Sequence, residues 1–119
     1  MSDAFRAQVA QICAALPGAE VSDPWGGGHD AWKVGSKMFA CIGAVTPGVV
    51  VKCADAETAQ MLREAGVGRA APYFHKSWLL LPETTPPTDL AARLVLSYDL
   101  IREKLPAGVR RALPPRITD

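Results

Sequence analysis

The chain predicts an α+β fold, with a helix at each end, a short one in the middle, and a central antiparallel sheet. Three observations predict it. Apolar residues recur at helical spacing near both ends; β-branched and aromatic residues gather in short runs between them; turn dipeptides punctuate those runs. At 119 residues, with 49% apolar and 21% charged residues, the composition suits one globular domain spanning 1–119. The formal charge of +1 gives no overall pull toward nucleic acid or acidic membranes, so binding of that kind needs a local patch.

Phe5, Val9, Ile12 and Leu16 form one apolar stripe, Ser2 or Asp3 can cap its start, and Pro17-Gly18 ends it, which predicts the first helix. From Ala31 to Val45, the apolar residues Trp32, Val34, Phe39, Ile42 and Val45 are broken by Gly35-Ser36, a hairpin turn. Thr46-Pro47-Gly48 is a second turn, and "VVVKC" from Val49 to Cys53 is a strand by its β-branched content. These pieces make a three-strand meander. Asp55 is the expected cap of a short helix reaching about Ala65, with Ala59 and Leu62 inward and Gly66 as its stop. A further strand is expected from Lys76 to Leu81. A proline-rich connector follows, with Thr88 as the cap of a long helix carrying Leu90, Leu94, Tyr98, Ile101 and Leu105 on one face. Residues 106–119 read as a loosely held tail.

Cys13, Cys41 and Cys53 are odd in number, far apart and set among apolar residues, so they are expected as free, buried core residues. The N-terminus lacks the basic start and unbroken apolar stretch of a signal peptide, and no run of about 20 apolar residues spans a bilayer. A cytoplasmic protein without a membrane partner is the expectation.

Several stretches invite a chemical reading. "PWGGGH", from Pro24 to His29, holds three consecutive glycines. A phosphate-binding loop needs its glycines between a strand and a helix, closed by Lys-Ser or Lys-Thr; here they precede a strand, so the run is expected to be a turn. Zinc needs three or four ligands, and His29 and His75 are the chain's two histidines, without a cysteine or carboxylate cluster around them. No metal or cofactor is therefore expected. There is no G-x-S-x-G elbow and no base beside a nucleophile in sequence, so no catalytic residue is assigned.

The basic residues are more informative. Lys33, Lys37 and Lys52 lie in the strand region, and alternation sets Lys33 opposite Val34 and Lys52 opposite Val51. With Lys76 on the fourth strand, these lysines are expected to share one sheet face, near Trp32, Tyr73, Phe74, His75 and Trp78. Cations that neutralise phosphates beside rings that stack are what nucleic-acid surfaces use. A second basic group, Arg102, Lys104, Arg110, Arg111 and Arg116, lies near the end; Arg110 and Arg111 fall beyond the long helix and are free to meet a phosphate or an acidic partner.

In order, "ALPGAE", "WKVGSKMFA", "VVVKC", "PYFHKSW" and "SYDLIREKLP" resemble the MmcQ/YjbR-like family of small bacterial proteins over nearly the whole chain. The resemblance implies a frataxin-like outline and, since members are usually described as DNA-binding, a DNA partner. Relatives carry a histidine directly before the tryptophan of the fourth strand, where this chain has Ser77. The iron binding of frataxins depends on a ridge of carboxylates on the first helix; between Ser2 and Leu16 this chain has only Asp3. The function expected is non-catalytic DNA binding through a lysine-bearing sheet. The alternative is a protein-interaction module using the sheet face or the basic tail. A third reading is an enzyme with a pocket near Trp25, His29 and Trp78.

Overall fold

The computed structural model describes residues 2–116. Helix α1 (Asp3–Ala14) starts where the Ser2 hydroxyl accepts from the Phe5 amide, satisfying one of the donors a helix start leaves open. Its buried stripe is Phe5, Val9 and Cys13, with Leu16 beyond; Ile12 is only half-buried. The strands follow as β1 (Glu20–Ser22), β2 (Asp30–Val34), β3 (Lys37–Ile42), β4 (Val49–Lys52), β5 (Arg69–Ala70) and β6 (Trp78–Leu81). They form one antiparallel sheet ordered β1-β2-β3-β4-β6-β5. Helix α2 (Ala56–Glu64), capped by Asp55 at 2.7 Å from the Thr58 amide, sits between β4 and β5 in sequence. Helices α3 (Pro87–Glu103) and α4 (Ala107–Ala112) close the chain.

The β2–β3 hairpin turns at Gly35 and Ser36, with φ of 55° and 69°; two successive positive values suit the right-handed twist of the flanking strands. Pairing then slips by one residue between Trp32 and Lys33, leaving Phe39 without a cross-strand partner. That bulge sends the Phe39 ring edge-on against Tyr98, 5.4 Å between centroids. It also turns the Phe39 carbonyl to the fully buried Ser97 hydroxyl at 2.6 Å. The same hydroxyl accepts from the Lys52 amide at 2.8 Å, so Ser97 of α3 bridges β3 and β4 just past their last paired residues.

Sheet alternation sorts the side chains cleanly. Trp32, Ala40, Val51 and Leu79 lie in one row facing α1, α2 and α3, where they build the main core with Phe5, Val9, Ala59, Leu90, Leu94 and Tyr98. The next row, Ser22, Ala31, Cys41, Val50, Leu80 and Arg69, belongs to the face no helix covers.

Several expectations need correction. The fourth strand starts at Trp78, because the Trp78 amide donates to the His75 carbonyl at 2.9 Å and closes a turn; Lys76 sits in that turn. Helix α3 starts at Pro87 with Pro86 before it, and Thr88 does not cap it; proline at the first helical position lacks only an N–H that would go unpaired there anyway. Val45 stands outside the strands and is 90% exposed. The tail is fastened through its described part: α4 forms, Leu113 packs against the core, Arg102 donates to the Pro114 carbonyl at 2.7 Å, and Arg116 pairs with Asp99 at 2.8 Å. Residues 117–119 of that expected tail lie outside the described residues. Strands β1 and β5 were not expected, being too short to show a period of two.

Candidate functional site

The uncovered face carries a second, smaller apolar cluster: Cys41, Val50, Ala71 and Leu80, with Met38, Phe74 and Trp78 against it. Over it lies a cleft of about 720 Å³, within the usual size for a ligand site. Cys41, Val50 and Leu80 make its floor. Trp25 and His29 come from the loop before β2, Val45 and Thr46 from the loop before β4, and Tyr73, Phe74 and His75 from the turns before β6. Both histidines and two of the three tryptophans of the chain line this one cleft.

The glycine loop is shaped by its own carboxylate. Gly26, Gly27 and Gly28 all have positive φ (67°, 95° and 99°), so their amides curl inward as an anion nest would. Asp23 fills it: Oδ2 accepts from the Gly28 amide at 2.9 Å. The pKa of Asp23 is lowered, chiefly by that hydrogen bond; desolvation opposes it, and the His29 amide, the charge interaction with His29 and the Gly26 amide add smaller lowering contributions. The run is thus a turn, as expected, and its amides already hold an anion. Arg6 ties the loop to α1, donating to the Gly28 carbonyl at 2.6 Å and pairing with Asp30 at 3.0 Å. His29 Nδ1 lies 3.5 Å from Asp23 Oδ1, a charge contact longer than a hydrogen bond, and the Trp25 ring meets the imidazole edge-on at 5.0 Å. A carboxyl whose folded pKa is depressed stabilises the folded form above its unfolded pKa and loses that contribution as pH falls through the folded value. The loop is therefore expected to stay closed at neutral pH and to loosen at pH below the ordinary carboxylate range. The Gly28 amide resonance, followed by NMR from pH 7 to pH 2, checks this; a resonance that does not move with Asp23 protonation would contradict it.

On the opposite wall, two turns follow one another. Ala71 to Phe74 closes with the Phe74 amide on the Ala71 carbonyl, with Pro72 second and Tyr73 third at φ 70°. A turn with proline second and positive φ third normally takes glycine or asparagine at that third place. Tyr73 accepts the strain and leaves its ring fully exposed at the cleft mouth. Phe74 and Trp78 pack with centroids 5.2 Å apart. In the second turn, His75 Nδ1 accepts from the Ser77 amide at 3.1 Å and lies 2.9 Å from the Ser77 hydroxyl.

The expected site residues separate. His75 and Trp78 line the cleft, as does Trp25 with His29, so the pocket anticipated near Trp25, His29 and Trp78 exists. Lys52 is the cross-strand partner of Trp78, on the open face; burial lowers its pKa, the charge of Lys104 adds to this, and Nζ donates to the Cys53 carbonyl at 2.9 Å. Lys76 is exposed in the adjoining turn. Lys33 is also on the open face, but beside Met38 and opposite Glu20, whose charge offsets it. Lys37 is the partner of the core residue Val34 and so lies on the helix side. The four lysines therefore do not share one face, because the bulge and the hairpin end set Lys37 apart. Trp32 faces the main core as well. Arg110 donates to the Glu103 carbonyl at 3.1 Å, finishing α3, and Arg111 is exposed on α4; neither lines the cleft.

Two further cations stand near β6 without any local signal in the sequence. Arg69, on β5, is the cross-strand partner of Leu80 and therefore stands on the open face. Arg63, in the last turn of α2, reaches the Lys76 carbonyl at 3.4 Å. Lys52 and Arg69 thus flank β6 on the open face, as partners of Trp78 and Leu80, while Arg63 holds the turn that carries Lys76; none of the four lines the cleft itself. The nearby acids are engaged locally, Asp55 as a helix cap and Glu64 by Gln60 at 3.2 Å.

Cys13, Cys41 and Cys53 are free and buried, and burial pushes each thiol up, Cys13 to about 12. Among the described residues, no group of three or more His, Cys, Asp or Glu side chains could hold a metal ion, and no helix is long and apolar enough to cross a membrane.

Nothing among curated proteins matches this sequence. In three dimensions the chain is similar to the crystal structure of Deinococcus radiodurans protein DR2400, of the domain family DUF419. The TM-score is 0.76 at 22% identity, over 87% of this chain and 83% of that one, a likeness that speaks to the fold. The sequence description of the YjbR family matches residues 14–100, from the end of α1 through most of α3 and including every residue of the cleft. The motif order and the sheet agree with that match, and the chain belongs to the YjbR family.

Proposed function

We propose that this protein is a non-catalytic nucleic-acid-binding domain whose site is the aromatic cleft of the open sheet face, and that it prefers single strands. One observation carries the reading: exposed rings of Tyr73 and Trp25, with Phe74 and Trp78, border a cleft on the open sheet face, where Lys52 is the strand partner of Trp78, Arg69 that of Leu80, and Lys76 follows His75 in the turn. Rings that take unstacked bases beside cations that follow the backbone are the recurring means of holding a single strand, whereas a duplex keeps its bases stacked inside. The non-catalytic part of the proposal is supported by burial of two nucleophiles: Cys41, the thiol that lines the cleft, and Ser77, whose hydroxyl contacts His75, are both nearly inaccessible.

A fluorescence titration, with Trp25 and Trp78 as reporters, tests the reading against a 12-nucleotide oligothymidine and a duplex of equal length. With three or four phosphates neutralised, the log-log salt slope for the single strand is expected at about −2 to −3. The duplex is expected to bind at least tenfold more weakly. Equal affinity for the duplex would remove the aromatic rings from the account.

The second reading, a protein partner, is favoured by the aliphatic part of the cleft, where Met38, Val50 and Leu80 lie beneath the nearly bare Val45. It moves ahead if neither oligonucleotide binds.

A further inference from the structure

The turn that joins the aromatic wall to the basic edge fixes the protonation pattern of one imidazole. A backbone N–H cannot reverse its role, so His75 Nδ1, 3.1 Å from the Ser77 amide, is an acceptor. The Ser77 hydroxyl, 2.9 Å from the same nitrogen, directs its own proton there. Ser77 is itself 4% exposed, which holds this pair of contacts in place. The neutral ring therefore carries its proton on Nε2, at the opposite edge of the imidazole, and among the described residues nothing accepts from it. His75 lines the cleft between Phe74 on the aromatic wall and Lys76 on the basic edge. An oriented donor beside base-stacking rings and next in sequence to a phosphate-seeking lysine is placed for a phosphate oxygen of the strand that those rings hold.

We propose that His75 is a neutral hydrogen-bond donor to a backbone phosphate oxygen of the bound strand, with Ser77 as the positioning residue that sets its tautomer. This assignment rests on the nucleic-acid reading above and adds to it a contact that is not an ion pair. The distinction has a measurable consequence. A cation that neutralises a phosphate releases counterions and so adds to the salt slope, whereas a neutral donor adds affinity alone.

The experiment uses the full chain and the 12-nucleotide oligothymidine at pH 8, above the ordinary imidazole range. His75→Phe, which keeps a ring at the rim, is expected to weaken binding about tenfold with the salt slope unchanged. His75→Gln, whose amide nitrogen stands near the Nε2 position, is expected to recover most of that loss. Lys76→Ala is the contrasting case, with the slope flattened by about 0.7. In the free protein, imidazole 15N shifts are expected to place the proton on Nε2, and Ser77→Ala, which loses the hydroxyl but keeps the backbone donor, to weaken that preference without reversing it. Full affinity in His75→Phe, a slope change equal to that of Lys76→Ala, or a proton found on Nδ1 would each overturn the assignment while leaving the nucleic-acid reading in place. Failure of the unaltered protein to bind the strand at any salt would overturn both.

Discussion

Ser97→Ala is expected to lower the unfolding free energy by about 3 kcal/mol, because one hydroxyl serves two buried backbone groups. It donates to the Phe39 carbonyl at 2.6 Å and accepts from the Lys52 amide at 2.8 Å, and Ser97 is wholly inaccessible. The alanine side chain leaves both groups unpaired where water cannot replace the hydroxyl. For a domain of this size the melting temperature is expected to fall by roughly 12 °C. Leu96→Ala, on the exposed side of the same helix, serves as the comparison and is expected to shift stability by about 0.5 kcal/mol or less. A melting temperature within 2 °C of the unaltered protein would show that β3 and β4 do not depend on this bridge. The site depends on it too, since Lys52 is the residue whose amide Ser97 holds and whose side chain stands beside Trp78.

Tyr73→Gly is expected to move stability and binding in opposite directions. Its φ of 70° is strained for tyrosine and relaxed for glycine, so the variant is expected to gain about 1 kcal/mol. No packing is lost, because the ring is fully exposed. Binding of the single strand is expected to weaken by about 1–3 kcal/mol, the usual contribution of one stacked base, or roughly fivefold to 150-fold. Thermal melting and the oligothymidine titration measure the two effects on one sample. A loss of stability would mean that the ring packs in solution; unchanged affinity would mean that it is not a stacking surface.

Much of the scaffold was legible because its signals are local. Ser2 and Asp55 cap helices by contacts that reach only three residues ahead, and Gly35-Ser36 makes a hairpin from its own φ values. Val49 to Lys52 was readable from its β-branched content, and the stripe of Leu90, Leu94 and Tyr98 from period. The exceptions are local signals with two meanings. Thr88 and Pro87 both mark a helix start, and proline took the role because its fixed φ already suits the first turn.

The site was legible only in part. His75, Trp78, Lys52 and Lys76 were singled out for their chemistry; the fold puts His75 and Trp78 in the cleft lining, with Lys52 as the strand partner of Trp78 and Lys76 in the adjoining turn. Their grouping with Lys33 and Lys37 failed, since a face is a property of register. One bulged residue, Phe39, changes which side a neighbour occupies, and nothing in Lys37 itself announces it.

By itself the sequence determined where α1, α2 and the β2–β3 turn begin, which residues are apolar enough to be buried, and the family to which the chain belongs. Only the tertiary structure decided which sheet face the helices leave bare, and hence that Trp32 is core while Trp25 and Trp78 bound a cleft. It alone set Arg63 against the Lys76 carbonyl and Arg69 opposite Leu80 on the open face, and turned the Gly28 amide onto Asp23 rather than a ligand. The physical reason is range. Propensity, capping and turn chemistry act over a few residues, whereas a fold is assembled by strand pairing and helix packing between segments as far apart as Pro17 and Tyr98, 81 residues in sequence.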